Sequence, residues 1–340
     1  MISVEHLTKY YGDVLAVDDL SFEIEEGHIY GFLGPNGAGK STTMNIMTGC
    51  LSATSGRVLI GTHDIYEEPN EAKKLIGYLP EQPPLYPNET PLEYLKFVGE
   101  AKGLRGEKLK QNIKEVIEQV RIDNVKNRLI SSLSKGYKQR VGIAQALLGD
   151  PKVIILDEPT VGLDPIQIID IRELIKELGK SRTIIFSSHI LSEVQEICEK
   201  VLIISGGKLV AFDLLENLES GMNEGGKIIV KSDITKEAAD EILSENSNII
   251  NWAASEDGDN LTIHIETSTA ATKELCKEIS LSFASKGYAI YEISSEKTNL
   301  ENVFLKLTEV SAAKESPTEK NEAAEKKEEN AAAVSEKEEQ

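Results

Sequence analysis

A glycine-rich segment near the N-terminus has the composition and spacing of a phosphate-binding loop. Residues 34–41 read Gly-Pro-Asn-Gly-Ala-Gly-Lys-Ser, which matches the pattern G-x-x-x-x-G-K-[ST]. Glycines let the backbone wrap closely around a phosphate, because a Cβ atom would clash with the ligand or forbid the required φ angle. We expect Lys40 to reach the β- and γ-phosphates of a nucleoside triphosphate and the Ser41 hydroxyl to ligate Mg²⁺. The other residues expected to hold the nucleotide are Gly34, Pro35, Asn36, Gly37, Ala38, Gly39 and Thr42.

Two adjacent acidic residues, Asp157 and Glu158, follow the apolar run 153–156. In proteins with such a phosphate loop the first acid at a strand end helps to hold Mg²⁺, and Asp157 fits that position. We expect Glu158 to lie one residue further towards the γ-phosphate, where a carboxylate polarises the attacking water. An Asp-Glu pair alone is as typical of a solvated loop as of a catalytic site, but the upstream phosphate loop favours the catalytic interpretation.

The sequence around these residues alternates between strand and helix patterns. The apolar run 29–33 predicts a buried strand that enters the phosphate loop, and 41–47 predicts the helix that leaves it. The alternation predicts an α/β fold with a mostly parallel sheet covered on both faces, and 91–125 predicts a helical insertion in it. Further predicted strands are 3–11, 15–24, 58–60, 153–156, 183–187 and 201–204, and further predicted helices are 91–103, 107–125, 134–149, 165–178 and 191–198.

A change of composition at residues 220–226, Ser-Gly-Met-Asn-Glu-Gly-Gly, predicts a domain boundary. We therefore expect a nucleotide-binding domain over 1–220 and a small α+β accessory domain over 227–310. The second segment has the order βαββαβ, which is typical of a ferredoxin-like fold, and it ends in a predicted helix over 299–308. Residues 311–340 are rich in Ala, Glu and Lys with almost nothing apolar to bury, so we expect a disordered tail.

Composition restricts the possible partners and compartment. The 340 residues carry a formal net charge of −20, which argues against a general affinity for nucleic acid or anionic lipid. No apolar run approaches the roughly 18 residues needed to cross a bilayer, and the N-terminus lacks the pattern of a signal peptide. The three cysteines are too widely spaced for a metal or disulfide pattern. We expect a cytoplasmic chain whose membrane role, if it has one, comes through a partner.

Residues 133–140, Leu-Ser-Lys-Gly-Tyr-Lys-Gln-Arg, resemble the LSGGQ signature of ATP-binding cassette (ABC) ATPases. The resemblance covers residues 1 to about 220, with every family motif in order. It implies a P-loop ABC ATPase cassette, with a mixed sheet and a helical subdomain, that binds ATP and Mg²⁺ and hydrolyses ATP. The accessory α+β domain and the tail would follow this cassette.

The family resemblance implies roles for further residues. Tyr11 matches the aromatic residue that stacks on adenine, although a lone tyrosine is also typical of ordinary strand packing. Asp164 ends a Gly-Leu-Asp run that looks like the D-loop linking two active sites across a dimer. His189 matches the switch histidine that contacts the γ-phosphate. Ser134 and Gly136 match the pair that faces the γ-phosphate bound by a second cassette, and Ser134 would also serve as a helix N-cap.

Three positions depart from the commonest pattern of the family. Lys135 replaces the first glycine of LSGGQ, and Tyr137 replaces its glutamine, while the phosphate-facing Ser134 and Gly136 are kept. After Pro80, where the family has a glutamine, this chain has Glu81. Either Glu81 takes over the Mg²⁺ and coupling role, or Gln82 moves in. A carboxylate ligates Mg²⁺ as an amide oxygen does, which favours Glu81.

The resemblance implies that two cassettes form a homodimer that traps ATP between them and drives a separate integral-membrane permease. The signature, the residues around Glu81 and the run 301–305, Glu-Asn-Val-Phe-Leu, look like ATPases of bacterial multidrug, antibiotic-resistance, gliding-motility and sodium-efflux exporters. We therefore expect the ATPase subunit of an exporter, peripheral on the inner face of the cell membrane. The alternative is a soluble ABC ATPase that does mechanical or regulatory work in the cytoplasm. An inactive regulator is disfavoured because Lys40, Asp157, Glu158 and His189 are all present.

Overall fold

The computed structural model describes residues 1–221, 227–257, 260–268, 273–296 and 304. These residues divide into two compact units, of which the first contains Met1–Leu215 and the second is Glu216–Phe304. Apart from Phe304, the helix expected over 299–308 and the tail expected over 311–340 lie outside the described residues. Within the described ranges, no helix combines the length and the apolar composition needed to cross a membrane.

The first unit is built from the strands and helices expected around the phosphate loop, with several short additions. Its strands are β1 (Ile2–Tyr11), β2 (Val14–Ile24), β3 (Ile29–Leu33), β4 (Ser55–Ile60), β5 (His63–Asp64), β6 (Ile76–Leu79), β7 (Val153–Leu156), β8 (Thr183–Ser188), β9 (Lys200–Ser205) and β10 (Lys208–Leu214). Its helices are α1 (Lys40–Met47), α2 (Pro69–Lys74), α3 (Pro91–Ala101), α4 (Gly106–Gln119), α5 (Lys135–Leu147), α6 (Pro165–Gly179) and α7 (Leu191–Ile197), and α8 (Leu215–Gly221) follows where the two units meet in sequence.

Two sheets organise this unit. The larger has the order β10-β9-β3-β8-β7-β6, and all its neighbouring pairs are parallel except β10 with β9. The smaller, β2-β1-β4-β5, is antiparallel. Every residue of β3 and β7 is buried, which explains their continuous apolar runs, since a parallel sheet is covered on both faces. The expected mixed α/β sheet is confirmed, and the carboxyl ends of β3, β8 and β7 lie side by side, where such sheets bind ligands.

Helix α4 and strand β6 differ from the sequence expectation. The helix expected over 107–125 ends at Gln119, because Arg121 adopts φ 59° and the chain continues into a short 3-10 turn at Asp123–Val125. Its apolar face is as expected, with Ile113 and Val116 buried. Strand β6 escaped prediction because Gly77 interrupts its short apolar run. A Cβ atom at Gly77 would lie 2.2 Å from the carbonyl oxygen of Ala146 on α5, so the strand and helix backbones meet directly.

The second unit follows the order βαββαβ. Its elements are β11 (Lys227–Ser232), α9 (Lys236–Ser244), β12 (Ile249–Asp257), β13 (Asn260–Thr267), α10 (Lys273–Ser285) and β14 (Ile290–Glu296). The strands form one antiparallel sheet in the order β12-β13-β11-β14. Val230, Ile263, Ile279 and Phe283 are among the residues of its separate hydrophobic core, and this arrangement is the ferredoxin-like pattern.

Candidate active site

The carboxyl ends of β3, β7 and β8 open onto one cavity of about 290 Å³. The phosphate loop follows β3, Glu158 follows β7 and His189 follows β8, so parallel strands bring together residues that are far apart in the chain. The lining residues are Ala16, Asn36, Gly37, Ala38, Gly39, Lys40, Ser41, Thr42, Glu81, Glu158, Val161 and His189. Of these, Ala16 and Val161 carry no chemical signal in the sequence.

The phosphate loop closes through its own backbone. The Ala38 amide donates a hydrogen bond to the Pro35 carbonyl oxygen at 3.1 Å. Gly39 adopts φ 101°, and a Cβ atom there would lie 2.6 Å from the Ala16 carbonyl oxygen, so only glycine fits. Helix α1 begins at Lys40 without a side-chain cap, which leaves the amides of its first turn at the cavity. Such amides and the helix dipole bind anions.

Lys40 is almost completely buried and its ammonium group rests on the loop. Nζ donates hydrogen bonds to the carbonyl oxygens of Gly34 at 2.7 Å and Pro35 at 3.3 Å. It lies 3.8 Å from Oε1 of Glu158. Burial lowers the pKa of Lys40, and the carboxylates of Glu158 and Asp157 offset part of that effect. The chain therefore holds a desolvated cation at the floor of the cavity.

The two adjacent acids are joined by a hydroxyl group to which the sequence analysis assigned no role. Oγ of Ser187 donates a hydrogen bond to Oδ1 of Asp157 at 2.6 Å and accepts one from the Glu158 amide at 2.8 Å. Oγ of Ser41 lies 3.2 Å from the same oxygen of Asp157. The position of Ser187 at the end of a strand, two residues before His189, was the available signal. Ser187 fixes both acids relative to β8.

Glu158 has an unusual backbone and a well-defined carboxylate. Its φ angle is 47°, in the left-handed region that non-glycine residues seldom adopt and that is common at functional sites. Oε2 lies 2.9 Å from Nδ1 of His189, and Oε1 faces Lys40. The carboxylate is thus held between two side chains at the edge of the cavity.

The three residues expected to ligate Mg²⁺ all provide oxygen atoms, and two of them are in contact with each other. A hydroxyl group of Ser41 and a carboxylate of Asp157 are adjacent, and Glu81 lines the same cavity, whereas Gln82 does not. Among the described residues no group of three or more His, Cys, Asp or Glu side chains could hold a metal alone. This fits Mg²⁺, which commonly takes one or two carboxylates together with substrate phosphates and water.

Seven expected site residues do not line this cavity. Three of them contact residues that do: Gly34 and Pro35 accept hydrogen bonds from Lys40, and Asp157 accepts one from Ser41.

The other four are Tyr11, Ser134, Gly136 and Asp164. Tyr11 is 48% exposed, and Nζ of Lys9 lies 5.2 Å from the centre of its ring. Ser134 and Gly136 line a second cavity, of about 240 Å³. Asp164 caps α6 by accepting a hydrogen bond from the Gln167 amide at 2.9 Å. Ser134 caps α5 in the same way, with its Oγ 3.4 Å from the Tyr137 nitrogen, so its expected N-cap geometry is present.

Comparisons with known proteins place these features in one family. The family model described as "ABC transporter" matches residues 17–161. The chain is 38% identical to the uncharacterized ABC transporter ATP-binding protein MJ1023 of Methanocaldococcus jannaschii, over 72% of this chain and 91% of that protein. It is 35% identical to the bacitracin transport ATP-binding protein BcrA of Bacillus licheniformis, over 90% and 97%. It is 32% identical to the linearmycin resistance ATP-binding protein LnrL of Bacillus subtilis, over 91% and 98%.

Solved structures of ABC transporter cassettes also resemble this chain over about two thirds of its length. The dimeric structure of MJ0796, a bacterial ABC transporter cassette, superimposes with a TM-score of 0.57 at 28% identity, covering 63% of this chain and 99% of that one. A dimeric post-hydrolysis state of the MJ0796 cassette bound to ADP and Pi gives a TM-score of 0.58 at 26% identity, with the same coverage of 63% and 99%.

Proposed function

Because this chain belongs to the family of ABC transporter ATP-binding proteins, we propose that it hydrolyses ATP to drive a separate membrane permease. The observation that carries the proposal is the position of the Glu158 carboxylate, between Lys40 and His189 at the cavity that the phosphate loop lines. Most residues expected to touch the triphosphate line this cavity, and the loop backbone has the geometry of an anion site.

The catalytic steps follow from the residues in the cavity. The Glu158 carboxylate accepts a proton from the attacking water as the new bond to the γ-phosphorus forms and the bond to the bridging oxygen of ADP breaks. His189 orients that carboxylate and contacts the γ-phosphate. Lys40 leaves the loop carbonyls to bind the β- and γ-phosphates. Mg²⁺ held by Ser41 and Asp157, with Glu81 nearby, would neutralise charge on the phosphate oxygens.

A second copy of the chain completes the site in this proposal. Ser134 and Gly136 lie at the N-terminus of α5 and line their own cavity, separate from the phosphate loop. Head-to-tail pairing of two cassettes would present this end of α5 to the γ-phosphate bound by the partner, and Asp164 would link the two sites. Tyr11 has an exposed ring that is accessible to adenine. The dimeric structures of MJ0796 support this arrangement.

The similarity to BcrA and LnrL, which extends over nine-tenths of this chain, supports an exporter. In this proposal the protein is cytoplasmic and peripheral on the inner face of the membrane, bound to an integral-membrane permease. The net charge of −20 disfavours nucleic acid as a partner. A soluble mechanical or regulatory ATPase is the competing function.

Two experiments test the proposal. Affinity purification of the tagged chain from detergent-solubilised membranes of its own cell should recover a polytopic membrane protein in near-equal amount. Recovery only in the soluble fraction would overturn the exporter function and favour the cytoplasmic alternative. Glu158→Gln should keep ATP binding, lose hydrolysis and accumulate an ATP-bound dimer in size-exclusion chromatography. Hydrolysis by that variant at the wild-type rate would exclude Glu158 as the base.

A further inference from the structure

A buried carboxylate outside the cavity connects the two loops that carry Glu158 and His189. Glu193, on α7, is 0% exposed. Its Oε2 atom accepts hydrogen bonds from Oγ1 of Thr160 at 2.8 Å and from Oγ of Ser188 at 2.8 Å. Thr160 is two residues after Glu158, and Ser188 is the residue before His189. One oxygen atom is therefore the common acceptor for both catalytic loops.

This carboxylate also forms an ion pair, which is longer than its two hydrogen bonds and uses its other oxygen atom. Nη2 of Arg172 on α6 lies 3.6 Å from Oε1 of Glu193, which is within ion-pair distance but beyond hydrogen-bond distance. Oε1 and the Nε atom of Arg172 are both buried without a hydrogen-bond partner. Burying a carboxylate is costly, and an apolar side chain at such a site is often as stable or more so. The short contacts of Glu193 are the two hydroxyl groups on the catalytic loops.

We propose that Glu193 is a positioning residue for ATP hydrolysis, which holds the Glu158 loop and the His189 loop at a fixed separation through Thr160 and Ser188. The proposal rests on the proposed ATPase function. The 2.9 Å contact between Glu158 and His189 depends on that separation, because the two residues come from different strands. Loss of the common acceptor lets the loops move apart and misorients the base relative to the γ-phosphate, while the phosphate loop still binds ATP.

The test compares Glu193→Ala, Glu193→Gln and the control Glu196→Gln. Glu196 lies on the same helix, and its half-exposed side chain pairs with Lys176 and with Nη1 of Arg172, whose Nη2 faces Glu193. The control therefore removes a carboxylate from α7 and perturbs Arg172 without removing the acceptor of the two hydroxyl groups. We expect Glu193→Ala to lower kcat about 10- to 100-fold, with the KM for ATP and the affinity for a fluorescent ATP analogue changed by less than about threefold. The glutamine variant keeps an acceptor oxygen and should recover most of kcat. Glu196→Gln should match wild type.

A double-mutant cycle separates positioning from a general loss of stability. Ser188→Ala and Thr160→Val should each lower kcat alone and have little further effect in the Glu193→Ala background, because all three act through one oxygen. If Glu193→Ala proves unstable, Glu193→Leu takes its place in the cycle, because leucine also removes the acceptor oxygen but fills more of the buried volume.

Three results would overturn the proposal. The first is a folded Glu193→Ala variant with the kcat of wild type. The second is a cycle in which the losses of kcat from the single variants add up. The third is a loss of ATP affinity in Glu193→Ala that is as large as its loss of kcat. The wild-type chain reports separately on the proposed function. If wild type itself, with its permease, hydrolyses no ATP, the ATPase assignment fails and the positioning role fails with it. An active wild type with an unaffected Glu193→Ala variant rejects the positioning role alone.

Discussion

Nδ1 of His189 lies 2.9 Å from Oε2 of Glu158, although 31 positions separate the two residues in the chain. The other carboxylate oxygen of Glu158 faces Nζ of Lys40 at 3.8 Å. The geometry gives each oxygen of the carboxylate its own neighbour and leaves little rotational freedom, which is the condition for a well-oriented general base.

The first prediction concerns the histidine of this pair. His189→Ala should lower the rate of ATP hydrolysis by about 100-fold, because the base loses the group that orients it, and should leave the affinity for ATP nearly unchanged. Steady-state kinetics with a phosphate-release assay measure both quantities. His28→Ala is the matched control, since His28 pairs with Glu199 and does not line the cavity. A fully active His189→Ala variant would show that Glu158 needs no such partner.

The second prediction concerns the hydroxyl group between the two acids. Ser187→Ala leaves the buried amide of Glu158 without its acceptor and leaves Oδ1 of Asp157 with only the longer hydrogen bond from Ser41. We expect the free energy of unfolding to fall by about 1–3 kcal/mol and hydrolysis to fall more strongly than ATP binding. Denaturant unfolding and phosphate release are the measurements. Ser187→Thr keeps a hydroxyl group and should recover part of both losses. Wild-type stability and hydrolysis in Ser187→Ala would mean that the hydroxyl is dispensable.

The third prediction follows from the buried ammonium of Lys40. Burial lowers the pKa of this group, and a triphosphate binds its protonated form, so ATP affinity is complete below the lowered pKa and falls as the pH rises through it. The fall should begin at a lower pH than for an ordinary lysine, whose pKa is about 10.4. Titration with a fluorescent ATP analogue upwards from about pH 7 should show the decline begin before the pH reaches about 10.4.

Lys40→Arg is the control for that titration, because a guanidinium group remains protonated throughout the range. The affinity of Lys40→Arg for the ATP analogue should stay constant across this pH range, even if it is weaker than the affinity of the wild type at every pH. An identical decline in both proteins would assign the pH dependence to another group.

The fourth prediction concerns the loop that contains Asp164. Gly162 has φ 68°, and a Cβ atom there would lie 2.1 Å from Nζ of Lys135. Gly162→Ala should lower the free energy of unfolding by about 1 kcal/mol for the backbone and displace the Lys135 ammonium. Gly103→Ala is the control, since Gly103 has φ 89° but open space around it.

Hydrolysis distinguishes the two glycine variants. If hydrolysis depends on the position of the Lys135 ammonium beside Gly162, Gly162→Ala should reduce the rate of hydrolysis and Gly103→Ala should not. Both variants should lose a similar free energy of unfolding. Equal kinetics in the two variants would limit the role of Gly162 to its backbone conformation.

The parts of the site that were predictable from sequence are those whose structure depends on residues close together in the chain. The phosphate loop, α1 and the apolar strand β7 are each determined by a few consecutive residues, and their bounds agree with expectation to within one residue. The end of α4 was not predictable, because the left-handed turn at Arg121 interrupts a continuing apolar pattern. The sequence places Ser187 at the end of a strand, but its hydrogen bonds to both acids, like those of the buried Glu193, were not predictable, since each depends on which strand ends become neighbours in the sheet.

Strand β6 and helix α5 touch backbone to backbone at Gly77 and Ala146. The amide of Gln145 adds a hydrogen bond from Nε2 to the Tyr78 carbonyl oxygen at 2.6 Å. Packed interiors have low compressibility and transmit strain, so a displacement of β6 at this backbone contact should also displace α5. The segment after β6, which begins with Pro80 and Glu81, should therefore move together with the helix that Ser134 caps. A side chain introduced at Gly77 would push the strand and the helix apart and weaken this coupling.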